Sequence, residues 1–138
     1  MKISTKGRYS LEFLLDLARH DNNGPISLSD IAERKNISKK YLEQIIPVLN
    51  KSGFLTTVRG AHGGYKLAKD PKDITISDIW FVTENIFSKD TKGENEDNPT
   101  FKFILDGLND KIRQYLNTIT LQDVLEKENN YYTDNYII

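Results

Sequence analysis

Apolar residues recur at helical spacing along most of the chain, and capping residues and turn formers mark the breaks between these stretches. Residues 6–20 carry Tyr9, Phe13, Leu14, Leu17 and Ala18 with Glu12, Asp16 and Arg19 between them. This predicts an amphipathic helix that ends at the turn signal DNNGP, residues 21–25. Ser27 followed by Asp30 has the form of a capping box and predicts a short helix with Leu28, Ile31 and Ala32 inward. Asn36 falls where a tight turn between helices needs the left-handed region. Ile37 then tucks in, and Ser38 caps a second helix whose Leu42, Ile45, Ile46 and Leu49 share one face. Pro47 has no N–H to give the Glu43 carbonyl, so it predicts a kink or loosening of the C-terminal half of that helix. Ser52 and Gly53 supply the stop.

The period then changes. Two β-type runs, 54–59 and 65–68, bracket the glycine-rich segment 60–64 (GAHGG), which predicts a hairpin whose tip can approach another molecule closely. Two capped helices joined by a tight turn are a moderately specific pattern, shared by helical hairpins that never touch DNA. A hairpin directly after them is far more specific, and the expected fold is mainly α with a small two-stranded β wing, a winged helix-turn-helix.

Beyond a turn at 70–73, Thr75 and Asp78 form a second capping box, opening a helix with Ile76, Ile79, Trp80, Val82 and Thr83. Trp80 is read as packing beneath the winged helix. Residues 88–98 hold no apolar side chain and read as a solvated loop. Asn98 then caps a helix with Pro99 at its first position, and Phe101, Leu105, Leu108, Ile112, Tyr115 and Ile119 follow at intervals of 4, 3, 4, 3 and 4. At ~1.5 Å per residue this helix is on the order of 30 Å long, more than a wing domain of about 80 residues covers. A second copy of the chain is the natural cover, which predicts a symmetric homodimer; the alternative is a helix that folds back on its own domain. Thr120 and Asp123 cap a final short helix, and the tail 128–138 (ENNYYTDNYII) is expected to fray unless docked. The organisation is thus a DNA-binding domain over 1–84, an acidic loop over 85–98, and a dimerisation helix and tail over 99–138.

Composition narrows the function. No apolar run nears the ~18 residues a membrane span needs, and the run 13–15 (FLL) is too short for a signal-peptide core, so the expected location is the cytoplasm, away from any membrane. The chain has no cysteine, which removes disulfides, thiolate zinc sites and cysteine-ligated iron–sulfur clusters together. His20 and His62 lie in unlike contexts, and the glycines of 60–64 sit in a hairpin rather than between a strand and a helix, so neither a metal pair nor a phosphate loop is present. An enzyme is not expected, nor any metal or cofactor. The net charge of −1 divides unevenly: residues 1–69 carry +6 and residues 70–138 carry −7. Either one half meets a polyanion, or charges cluster by chance on solvated faces.

A nucleic acid fits each element. Lys39 and Lys40 at a helix N-terminus can hold phosphates, while Ser38, Tyr41 and Gln44 can reach base edges or the backbone in a major groove. Glu43 is repelled by phosphate and is tolerated where it accepts from a cytosine amino group or stays at the rim. Tyr41 suits core packing equally well. On the wing, Arg59 and His62 suit a minor groove, with Lys66 adding to the basic hairpin. A helical protein-interaction module without DNA readout is the competing class; it accounts for the acidic half and the tail but leaves the basic wing unexplained.

The segments MKISTKGRY (1–9), SKKYLEQ (38–44) and RGAHGGY (59–65) resemble the signature patterns of the Rrf-two (BadM) family of bacterial winged-helix repressors. The resemblance covers Met1 to about Glu84 and continues more loosely through the long helix. It implies a homodimer that binds a roughly palindromic operator in double-stranded DNA and controls transcription. Many members carry three cysteines in the loop before the dimer helix, where an iron–sulfur cluster senses iron, nitric oxide or redox state; here the loop has none. That departure resembles the family's cluster-free repressors of sulfur and cysteine metabolism genes, whose regulation is thought to run through a complex with cysteine synthase. The terminal Tyr136, Ile137 and Ile138 resemble isoleucine-ended tails that dock in that enzyme's active site.

Overall fold

A computed structural model describes residues 2–21, 24–84 and 98–136, the stretch 132–136 in backbone only. Its first helix, α1 (Thr5–Arg19), is capped by Ser4, whose hydroxyl oxygen accepts the Gly7 N–H at 3.0 Å. Phe13, Leu14, Leu15 and Leu17 are at most 2% exposed, and α1 touches α2 (Leu28–Lys35), α3 (Lys39–Lys51), α4 (Ile76–Thr83), α6 (Leu121–Tyr136) and the wing strand β2 (Gly64–Leu67). The helix is therefore not the one-sided amphipathic element its pattern predicts. Asp16, expected on the polar side, is 1% exposed. It survives there because Arg34 of α2 grips both carboxylate oxygens, Nη2 at 2.8 Å and Nε at 3.2 Å. That hydrogen bond is the main reason the Arg34 guanidinium lies above its ordinary pKa. A second pair, Lys35 to Glu12 at 3.1 Å, ties the same two helices nearer the surface.

The turn from α2 to α3 follows the expected chemistry. Asn36 sits at φ 52, ψ 44, and the N–H groups of Asn36 and Ile37 donate to the carbonyls of Glu33 and Ala32, closing α2 in a Schellman arrangement. Ser27 and Ser38 accept the Asp30 and Tyr41 N–H groups, each at 3.1 Å. In α3, Leu42, Ile45, Ile46 and Leu49 are buried as the spacing predicts. The loosening expected at Pro47 is not found: α3 continues to Lys51, Leu49 is fully buried, and the Gly53 and Phe54 N–H groups close the end on Asn50 and Leu49. Pro47 and Glu43 are both exposed, so the carbonyl deprived of its partner can turn to water.

The wing pairs β1 (Leu55–Val58) antiparallel to β2, with Leu55 opposite Leu67 and Val58 opposite Gly64. It has a third, unforeseen partner: Ile26, in the turn before α2, exchanges both backbone hydrogen bonds with Tyr65, at 2.8 and 3.0 Å. The approach is so close that a Cβ on Gly64 would lie 2.2 Å from the Ile26 carbonyl oxygen.

The helix α4 opens on the expected capping box of Thr75 and Asp78, and the half-buried Trp80 donates its indole N–H to the Gly7 carbonyl at 3.2 Å, a packing role. The long helix α5 (Pro99–Asn117) is anchored near its C-terminus by buried Leu116, half-buried Ile112 and Arg113 stacked 3.8 Å over the Phe81 ring. Because α5 stops at Asn117, the heptad seam ends at Tyr115. Ile119 instead packs on the core, and its carbonyl accepts the Ile76 N–H at 2.9 Å. The last helix, α6, is longer than expected: a capping box of Thr120 and Asp123 starts it, Leu121 is fully buried, and an Arg19–Glu128 ion pair holds it along α1, so the segment read as a fraying tail is helical to Tyr136. Leu116 and Leu121 join the same core as α1 to α4. Among the described residues no helix is long and apolar enough to cross a membrane.

Gly64→Ala should lower stability by about 1–3 kcal/mol, the cost of prying apart the Ile26–Tyr65 pair, read as a fall in the urea midpoint. An unchanged midpoint would show that the bridge gives way freely.

Candidate nucleic-acid interface

The first turn of α3 presents free N–H groups and holds no acidic residue, so its partial positive charge adds to that of Lys39 and Lys40. Both lysines are exposed, as are Ser38, Glu43 and Gln44, on the side of the helix opposite Leu42, Ile45 and Leu49. Among the described residues neither lysine has a carboxylate partner, whereas Arg19, Arg34 and Lys35 are paired with Glu128, Asp16 and Glu12. Tyr41 takes the packing role, one of the two that the sequence left open. It is half-buried, and its ring meets that of Tyr9 edge-on at 5.3 Å, while the first turn it occupies faces outward. Burial, then the neighbouring Tyr9, raises the pKa of its phenol above the usual value.

The wing follows α3 directly, through Phe54, whose N–H closes that helix on Leu49 and whose carbonyl accepts from Ala68. Four-residue strands at about 3.3 Å per residue carry the tip on the order of 13 Å beyond this anchor. Arg59 and His62 are exposed at the tip, and Lys66 is half-buried on β2 opposite the exposed Thr56. The fold thus brings Ser38 to Gln44 and the wing residues Arg59, His62 and Lys66 onto neighbouring elements. Tyr9 and Ile26, which hold these two elements in place, were not singled out as supports. Tyr9 lies inside the MKISTKGRY segment but reads as ordinary core, and a two-residue bridge leaves no periodic signal at Ile26.

The other candidates lie elsewhere. Phe101, Leu105 and Leu108 are 50, 47 and 51% exposed and Tyr115 is 65% exposed, all on α5, with Ile112 half-buried at the anchored end. Tyr136 is the last backbone position of α6, and Ile137 and Ile138 lie outside the described residues, as does most of the acidic loop 85–98.

The Rrf2 family model, described as an iron-dependent transcriptional regulator, matches residues 3–127. The chain is 40% identical over 124 residues to the HTH-type transcriptional regulator CymR of Bacillus subtilis, spanning 90% of this chain and 89% of that one. Among solved structures, IscR of T. potens superposes with a TM-score of 0.75 at 41% identity, covering 93% of this chain and 88% of that one. CymR of B. subtilis, described as its global cysteine regulator, superposes with a TM-score of 0.75 at 37% identity, covering 92% and 98%. Among the described residues the iron in the family description finds no matching donors. A cluster of the Rrf2 kind needs thiolates and the chain has no cysteine; among the described residues no group of three His, Asp or Glu side chains comes together to hold a metal ion.

Proposed function

The chain belongs to the Rrf2 family of DNA-binding transcriptional regulators, and on that premise we propose that it is a cytoplasmic homodimeric repressor of sulfur and cysteine metabolism genes, reading a roughly palindromic operator. The observation that carries the DNA reading is the unpaired basic first turn of α3, exposed beside a basic wing. In this reading residues 1–84 form the DNA-binding unit. Lys39 and Lys40 take phosphates, Ser38, Tyr41 and Gln44 face base edges, and Glu43 accepts from a cytosine amino group or stays at the rim. Arg59 and His62 enter the minor groove and Lys66 supports them from β2. The likeness to CymR and the cysteine-free chain favour the sulfur and cysteine assignment and a regulator without a cluster.

Dimerisation follows from α5. Between Phe101 and Leu108 every side chain is exposed, and Phe101, Ile104, Leu105 and Leu108 make an apolar stripe that a second copy would cover. For the tail we propose cysteine synthase as the partner, docked by Tyr136, Ile137 and Ile138.

Binding to promoter DNA should weaken steeply with salt through release of counterions at several phosphates, and Arg59→Ala should cost about 1–3 kcal/mol of affinity. If no promoter fragment shows salt-sensitive retention, the repressor assignment fails. Sedimentation should give twice the 15.9 kDa chain mass, and Leu108→Glu should return the protein to a single chain; a monomeric wild type would remove α5 from this role. Deleting Ile137 and Ile138 should abolish association with cysteine synthase, and equal affinity before and after would end that assignment.

A further inference from the structure

We propose that the first turn of α1 is an additional DNA contact, in which Lys6 grips a backbone phosphate beside those taken by the first turn of α3. Lys6, Tyr9 and Phe13 share one face of α1 by their spacing of three and four residues. Along this face burial falls toward the N-terminus: Phe13 is fully buried, and Tyr9 and Lys6 are half-buried. The Tyr9 ring rests edge-on against Tyr41, so the face is aimed at the turn that carries Lys39 and Lys40. Helical side chains lean toward the helix N-terminus, which carries the Lys6 ammonium past Tyr9 and away from the core.

Two further observations separate Lys6 from an ordinary surface lysine. The cations that α1 and α2 direct at neighbouring helices are matched, Arg19 with Glu128, Arg34 with Asp16 and Lys35 with Glu12, while Lys6 has no carboxylate partner among the described residues. The turn that holds it is also fixed. Ser4 donates its N–H and its hydroxyl to Glu84 Oε1 at 3.1 and 2.8 Å, Trp80 donates to the Gly7 carbonyl, and a Cβ on Gly7 would overlap the Glu84 carboxylate. Glu84 occupies the N-terminus of α1 and answers its dipole, so the free positive charge on this turn belongs to the side chain of Lys6 and not to the helix end. Arg8 is exposed and lines a hollow with Tyr9, Glu12, Lys35 and Trp80. A cation on a turn already held in place loses little freedom when it meets a phosphate.

This inference rests on the DNA-binding reading, and a salt titration separates the two. Wild type, Lys6→Ala and Lys6→Arg would be titrated against a promoter fragment that the wild type retains and against a mixed-sequence duplex. Each lost phosphate contact lowers the slope of log affinity against log salt by about 0.9, so Lys6→Ala should reduce it by about 1 per chain. Affinity should fall on the order of tenfold at low salt, equally on both duplexes, because phosphate contacts carry no sequence information. Lys6→Arg should restore the slope. A Lys6→Ala slope equal to wild type overturns the inference, as does a loss that Lys6→Arg fails to repair. Failure of the wild type to bind either duplex would sink the DNA-binding reading itself.

Discussion

Phe13, Leu14, Leu15, Asp16 and Leu17 are consecutive, and none is more than 2% exposed. With about 3.6 residues per turn, five adjacent buried positions leave no side of a helix for water. The middle of α1 must therefore be enclosed on every side, and the remaining elements are arranged to enclose it: α2 and α3 on one flank, α4 and α6 on others, with Tyr65 of the wing closing the gap at Phe13 through a ring contact at 5.9 Å. Enclosure forces one carboxylate inside, and the forked grip of Arg34 answers it. Leaving such a carboxylate without its partner would cost far more than an exposed pair contributes.

The candidate DNA-facing surface inherits its geometry from that enclosure. One end of α3 is buried by Leu49 and Phe54, which sets where the wing begins, and the other end leans on Tyr9 of α1. Ile26 holds the base of the wing from the turn before α2. Neither the helix end nor the hairpin thus depends on DNA for its position. A pre-set pair of contacts loses less entropy on binding than two that must first be ordered.

What could be read from the amino acids alone was local chemistry. Ser27, Ser38, Thr75 and Thr120 act within three residues of themselves, and Asn36 acts on its own backbone, so the capped helices and the turn between α2 and α3 were legible. The hairpin was legible because glycine clustering is local too. Asp16 was misread because its burial depends on Arg34 of α2, whose placement no periodicity reports. Ile119 was misread because a heptad count cannot see that Thr118 ends the helix and that Ile119 bonds to Ile76 across more than forty residues of chain. The length of α6 was missed for a related reason: a polar sequence stays helical when it is capped at one end and laid along α1. Of the candidate interface, the proposed contact residues could be picked out by type and spacing, while the supports at Tyr9 and Ile26 could not.

The corner between α5 and α6 has a mechanical consequence. Thr75 and Thr120 pair across it, Ile119 and Leu121 bond to Ile76 and Ile74, and Leu116 is buried just before it, whereas residues 99–108 toward the opposite end of α5 are all exposed. Such a helix acts as a lever pivoted at its C-terminal end, with roughly 20 Å from Pro99 to the anchored Ile112 at ~1.5 Å per residue. A tilt of about 5° at the clamp swings the far end by about 1.7 Å over that length. In the proposed dimer the two reading heads are rooted at the clamps, so a small angular adjustment there would alter the pitch between half-sites while leaving each head internally unchanged.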